Sequence, residues 1–370
     1  MILPSKSKRI FLLDVVRGLA VFIMIIVDAP PTPEIYQIWQ HADWEGLTIA
    51  DFAFPGFVFA MGMSAAVSTS RRPADFKKIF KRAVILFIIG LLFNNVPYVF
   101  AYFLWDNFSA ADFYNNAVEH LRIFGILQRL ALTYALGMLI VKFLEDDKKI
   151  ICAATLLLIV SSLGFHLYAA ENPFDVNNNL YDVIDLAIVG ANHMYTPIHD
   201  PEGFYGTLSS TAEMLFGFLA GKILIDNSSA DEKFKVTAIF GAVLLLIGGA
   251  WSFVDIISKN LWTAPFSLIT AGIFALVTAF LLRGFEVIPK LKSCFQPLAS
   301  LGKNPLVFFL ASNIGLIFFI VSDLWGKIFA ATIMGFISVP FSALLFCWLW
   351  AIFWALISMA VDKSGVVIKI

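Results

Sequence analysis

The residues best suited to chemistry lie between His41 and Gly62, in HADWEGLTIADFAFPGFVFAMG, where a polar patch with one histidine runs directly into an apolar stretch. His41, three carboxylates (Asp43, Glu45, Asp51) and Trp44 gather at what reads as a membrane boundary, where ionisable groups cost free energy unless they have a task. An imidazole titrates near neutrality and can take a proton as a general base or accept an acyl group as a nucleophile. His41 is the candidate catalytic residue. Asp43 and Glu45 read as solvated loop charges, whereas Asp51 opens an apolar segment and needs a buried partner.

Other ionisable and amide groups interrupt apolar stretches. Asp14 and Arg17 stand three apart, on one helical face, where they can neutralise each other; Arg17 is also placed to meet an anionic ligand. Asp28 precedes the run Ala-Pro-Pro-Thr-Pro, which ends any helix. Arg129 has no carboxylate at helical spacing, so it either faces a ligand tunnel or pairs with Glu213. Asn94 and Asn95 can bond an acyl or pantetheine amide, or glue helices together. Lys303, Asn304 and Pro305 form a helix start of the kind that binds phosphate.

These groups must be carried by membrane helices. Hydrophobic residues make up 59% of the 370, Phe alone numbers 38, and the mean hydropathy is +0.83, far above a soluble domain. At about 20 residues per span, the sequence predicts an all-α, polytopic bundle forming one domain over 1–370. Ten spans are expected, near 10–29, 48–69, 80–103, 121–144, 149–169, 210–226, 235–254, 262–283, 304–322 and 338–361. Residues 324–337 suit an interfacial or re-entrant helix, and counting them gives eleven. The first span is too polar at Asp14 and Arg17 for a removable signal peptide.

Basic residues fall on alternate loops: before the first span, at 71–82, 142–149, 222–235, 283–303 and at the C-terminus. By the bias of Lys and Arg toward the cytoplasm, both termini are cytoplasmic. Arg122, Arg129, Lys259 and Lys327 break the pattern. Residues 170–209 carry no Lys or Arg and face the other side. Asp200 and Glu202 there, with Trp44, are candidate acceptor-binding residues, since an acidic surface suits a cationic sugar.

Taken in order, LDVVRGLAVFIMIIVD (13–28), HADWEGLTIADFAFPGFVFAMG (41–62), LRIFGILQRLALTY (121–134), DPEGFYGTLSSTAEMLFGFLAGKIL (200–224), LWTAPFSLITAG (261–272) and LGKNPLVFF (301–309) resemble the transmembrane acyltransferases of the heparan-α-glucosaminide N-acetyltransferase family. The resemblance implies acetyl-CoA supplied from the cytosol and an acetyl group delivered to an amino sugar across the membrane. It carries the family's catalytic histidine to His41 and its partner position to Asp51, and it suggests a homodimer. It identifies the chain as a bacterial-type homologue of the inner (plasma) membrane. One position departs: where the family commonly has Asn, this chain has Asp28, whose carboxylate can accept but not donate. Asp28 can instead orient the imidazole or attract an ammonium. Expected contacts to acetyl-CoA are Arg17, Arg129, Lys303, Asn304 and Asn94.

Two rivals stay open from sequence alone. One is a transporter or flippase for a sugar or lipid-linked glycan, with Asp14, Arg17, Arg129 and Glu213 lining its path. The other is an O-acetyltransferase of an envelope polysaccharide. No zinc pattern joins His193 and His199, no phosphate-binding glycine loop or GxSxG elbow stands in a credible setting, and no basic footprint for nucleic acid is present. Neither a metal nor a disulfide is expected.

Overall fold

A computed structural model describes residues 10–332 and 338–368. Among them the helices are α1 (Phe11–Val27), α2 (Ala53–Thr69), α3 (Phe76–Asn94), α4 (Val96–Leu104), α5 (Ala110–Tyr114), α6 (Ile126–Leu144), α7 (Asp147–Tyr168), α8 (Leu180–Val189), α9 (Thr207–Ile225), α10 (Ala230–Trp251), α11 (Ala264–Val287), α12 (Leu291–Cys294), α13 (Gln296–Lys303), α14 (Pro305–Val321), α15 (Leu324–Thr332) and α16 (Val339–Lys363). Their starts follow from local chemistry. Asp75, Asp146, Asn179 and Ser229 each accept from a first-turn backbone N–H of α3, α7, α8 and α10, and proline in the first turn opens α11, α13, α14 and α16.

Eight stretches are long and apolar enough to cross a bilayer: Ala50–Thr69, Phe76–Leu104, Ile126–Leu144, Asp147–Tyr168, Thr207–Ile225, Ala230–Trp251, Ala264–Val287 and Val339–Lys363. The protein is thus a multi-pass, all-helical membrane protein. The expected count of ten or eleven spans is not reached among the described residues, for two reasons. Helix α1 has 17 residues, a rise of about 25 Å against a hydrocarbon core of roughly 30 Å. The span expected over 304–322 is broken: α13 and α14 meet at a 92° bend, where Asn304 leaves the helical region (φ −132°, ψ 56°) and Pro305 has no N–H to continue the ladder. Only by taking α13 and α14 together does the count become nine. Of the expected interfacial segment, α15 covers the first part, and residues 333–337 lie outside the described residues.

Helices α9 and α2 form the centre, 78% and 72% buried, while Phe76–Leu104 is only 11% buried and lies at the periphery. The central pair is close because Gly62 faces the Met214 carbonyl and Gly217 faces that of Phe59, leaving no room for a side chain at either place. Packing around this pair gathers four segments at one end of the bundle. The loop before α2 is tied to the loop before α11 by the Gly46 amide on the Ile257 carbonyl (2.7 Å). Trp44 donates its indole N–H to the Phe174 carbonyl (2.9 Å), and Arg122 reaches Asp200.

Candidate active site

His41 sits in the loop between α1 and α2, its side chain 42% exposed, and lines an open hollow of about 760 Å³ together with Gln37, Gln40, Asp43, Trp44 and Thr48. Its Nδ1 lies 2.8 Å from Oδ1 of Asp51. Asp51 is buried in the turn Ala50–Phe52 that leads into α2, and the expected buried partner is His41 itself. The other carboxylate oxygen, Oδ2, accepts from the backbone amides of Thr48 (3.0 Å) and Ala42 (3.2 Å), with the Thr48 hydroxyl also 3.0 Å away. A carboxylate held by this many donors can only accept from the ring. In the neutral ring the proton therefore sits on Nδ1 and the lone pair on Nε2.

Around this pair stand groups from distant parts of the chain. Lys259, in the loop before α11, places Nζ 3.2 Å from both ring nitrogens. Asp28, at the C-terminal end of α1, accepts from the Asn313 amide of α14 (3.3 Å) and lies within electrostatic range of His41, Lys259 and Glu202. Glu202 is held by Arg122 at 2.5 Å, and Arg122 also grips Asp200 through two bonds of 2.7 and 2.9 Å. Burial alone would push Glu202 up, but Arg122, Lys259 and Arg129 outweigh it and hold its carboxyl below the ordinary range. One end of the bundle thus carries a histidine, carboxylates and cations in mutual contact or range.

The structure distributes the remaining sequence candidates differently. Trp44 is a strut: besides its bond to Phe174, its ring packs edge-on against His199 at 5.1 Å. Asp200 is fully buried, satisfied by Arg122 and by the amides of Tyr195 (2.9 Å) and Glu202 (3.0 Å). Asn94 donates to the carbonyls of Arg122 (2.9 Å) and Phe124 (3.1 Å), the role of glue, and holds the extended segment before α6. That segment was expected to be helical from 121, yet α6 begins at Ile126 because Gly125 is extended (φ 163°, ψ 178°).

Arg129 does not pair with Glu213, because Trp262 lies between them. The guanidinium stands 5.2 Å from that indole, whose N–H donates to Glu213 at 3.1 Å. Arg129 itself is buried and donates to the Tyr181 hydroxyl (2.6 Å) and the Gly203 carbonyl (2.7 Å). It braces the backbone that carries Glu202.

Arg17, Lys303 and Asn304 meet elsewhere, lining with Arg82 a separate cavity of about 200 Å³. Arg17 is paired with Asp14 and Lys303 with Asp362. The start of α14 is partly covered by the C-terminal segment: Asn304 accepts from the Ile368 amide (2.9 Å) and donates to the Val366 carbonyl (3.0 Å). Along α1, the eleven residues from Arg17 to Asp28 correspond to about 16 Å, so basic cavity and histidine site occupy different depths of one bundle. No group of three or more His, Cys, Asp or Glu poised for a metal occurs among the described residues.

Three participants were not singled out from sequence: Lys259, Arg122 and Asn313. Two of them carried a signal, since Lys259 and Arg122 are among the few basic residues that break the alternation of basic loops along the sequence.

Residues 9–254 match the family described as "Heparan-alpha-glucosaminide N-acetyltransferase, catalytic". Two similar proteins carry the name heparan-alpha-glucosaminide N-acetyltransferase. The one from Mus musculus is 27% identical over 324 residues, covering 71% of this chain and 47% of the relative. The one from Homo sapiens is 26% identical over 330 residues, with the same two shares. The chain spans about half the length of these curated relatives. The family match contains His41, Asp51, Arg122 and Glu202 and ends just short of the loop with Lys259. Since it covers well over half of the 370 residues, the chain belongs to the heparan-alpha-glucosaminide N-acetyltransferase catalytic family.

Proposed function

We propose that the protein transfers an acetyl group from acetyl-CoA to the amine of an amino sugar, with the donor entering from the cytoplasmic side and the acceptor from the opposite side. The observation that carries this reading is the His41–Asp51 pair (2.8 Å), at a histidine that lines an open hollow and whose neutral form leaves the lone pair on Nε2. Such a nitrogen can deprotonate an attacking amine or take the acetyl group itself. Support for the donor's side comes from the basic cavity of Arg17, Arg82 and Lys303, whose charge suits the phosphates of CoA, and from the basic loops that mark that end as cytoplasmic.

Asp28 supports an amine over a hydroxyl acceptor. A carboxylate beside His41 attracts an ammonium and has nothing to offer a neutral alcohol beyond one hydrogen bond. Asp51 fixes the tautomer, and Arg122 with Arg129 holds Glu202 in place.

The test is product analysis with purified protein in proteoliposomes, given acetyl-CoA and a panel of amino sugars and their hydroxyl counterparts. N-acetylated sugar with stoichiometric release of CoA is expected. O-acetylated product alone would move the reading to the hydroxyl acceptor, and sugar uptake without consumption of acetyl-CoA would replace it by transport.

A further inference from the structure

We propose that Lys259 is a catalytic residue whose ammonium stabilises the oxyanion formed as the acetyl group is transferred. The inference rests on the acetyl-transfer reading above and assigns a role to a residue that lies beyond the family match.

The geometry of Nζ is specific. It stands 3.2 Å from both Nδ1 and Nε2 of His41. A position in the ring plane equidistant from both nitrogens would collide with the carbon between them, so the ammonium lies over the face of the imidazole. The in-plane lone pair of Nε2 therefore remains open to a proton or an acyl carbon. A carbonyl whose carbon is under attack beside Nε2 can turn its oxygen to the face where Nζ waits.

Nζ of Lys259 lies within electrostatic range of Asp28, Asp51 and Glu202, yet no described carboxylate is paired with it, and its near contacts are the two ring nitrogens of His41. The surrounding carboxylates attract the ammonium without closing on it as ion-pair partners. An ionised Asp28 carboxylate cannot supply a donor to the acyl oxygen. Lys259 can.

The backbone under Lys259 is fixed from three directions. The Asn260 side-chain amide donates to the Asp43 carbonyl (2.7 Å) and the Gly46 backbone amide to the Ile257 carbonyl (2.7 Å), joining this loop to the one that carries His41. The Lys259 carbonyl accepts from the Trp262 amide (3.0 Å). Trp262 is almost wholly buried and held at φ +49°, in the left-handed region that bulky residues avoid. A pre-set cation of this kind needs no reorganisation when charge develops.

In the direct route the acceptor nitrogen bonds to the thioester carbon, the carbonyl electron pair moves onto oxygen beside Nζ, and Nε2 takes the amine proton. The pair then returns, the C–S bond breaks, and the CoA thiolate leaves and takes that proton from His41. When Nε2 itself receives the acetyl group, the same carbon becomes tetrahedral twice. Thiolate leaves first, and the amine proton ends on it once the amide has formed. Lys259 meets the same oxygen in either route.

The experiment compares wild type, Lys259→Met, Lys259→Gln and His41→Ala in single-turnover and steady-state transfer from acetyl-CoA to glucosamine, with acetyl-CoA affinity measured separately by equilibrium dialysis. Both Lys259 variants are expected to lose about 10²–10³-fold in kcat while acetyl-CoA affinity stays within about threefold. Lys259→Cys, in a background where Cys152, Cys294 and Cys347 are serine, is expected to regain at least about tenfold on alkylation with 2-bromoethylamine. That treatment restores an ammonium at similar reach, a rescue a purely structural role would not produce. The proposal is overturned if the Met and Gln variants keep wild-type kcat while His41→Ala is inactive, if affinity falls along with kcat, or if alkylation restores nothing to a folded Cys variant. Failure of the wild type to transfer acetyl to any acceptor would instead remove the reading on which the proposal stands.

Discussion

Nδ1 of His41 and Oδ1 of Asp51 are 2.8 Å apart, and the two residues stand ten positions apart in sequence. The short helical turn Ala50–Phe52 turns Asp51 back toward the loop, and the amides of Ala42 and Thr48 saturate its other oxygen. Asp51→Asn keeps the shape but offers an amide N–H to Nδ1, which favours the tautomer with its proton on Nε2. Activity should fall by about 10²–10⁴-fold with little change in the KM for acetyl-CoA. Kinetics on the purified variant check this, and a kcat close to wild type would contradict the tautomer argument.

Asp28 is the position that should set acceptor charge. Asp28→Asn removes the attraction for an ammonium but keeps an acceptor and adds a donor. The kcat/KM for glucosamine is expected to drop by about tenfold, equivalent to about 1.4 kcal/mol, with acetyl-CoA saturation unchanged. The loss should shrink at high salt, because part of it is steering. Equal losses for charged and uncharged acceptors would show that Asp28 acts on the imidazole instead.

Arg122 holds Asp200 and Glu202, both buried, from the segment before α6. Arg122→Gln leaves two carboxylates without their cation, a change that costs about 3–5 kcal/mol in buried pairs. Thermal unfolding in detergent should show a large drop in Tm, and adding Asp200→Asn should recover part of it. A Tm shift below about 2 °C for Arg122→Gln would contradict the account.

Burial pushes Asp185 up to about 7, against the pull of Arg129 and of the Phe204 and Tyr205 amides. The folded protein then keeps a proton that the unfolded chain, with a pKa of about 3.9, has already lost. This group's contribution is therefore most favourable at low pH, declines as pH rises from about 4 toward 7, and levels off above. Asp185→Asn removes that decline, so its Tm should vary less than wild type between pH 5 and 8. Parallel Tm profiles for the two proteins would refute this.

The membrane class and most spans were readable in the sequence because each depends on composition, and the pairing of Asp51 with His41 came with the family resemblance. The sequence could not show that Lys259, 218 residues from His41, closes over the ring, since that contact exists only through packing of α11 beside α2. Arg122 and Lys259 were nonetheless conspicuous as cations that break the alternation of basic loops. Span boundaries and helix boundaries differ where apolarity and helicity part company. Residues 121–125 are apolar enough to be counted with α6, but their carbonyls serve Asn94, and Pro305 turns one apolar run into two helices at 92°. Lys303 and Asn304 looked like an open phosphate site because their partners, Asp362 and residues 366–368, lie some sixty residues downstream.

The most direct measurement is acetyl transfer from radiolabelled acetyl-CoA to glucosamine by wild type and His41→Ala, both shown to be folded and to bind acetyl-CoA. Labelled N-acetylglucosamine is expected from the wild type, with a loss of at least about 10²-fold in the variant. Transfer by His41→Ala at the wild-type rate would contradict a catalytic His41.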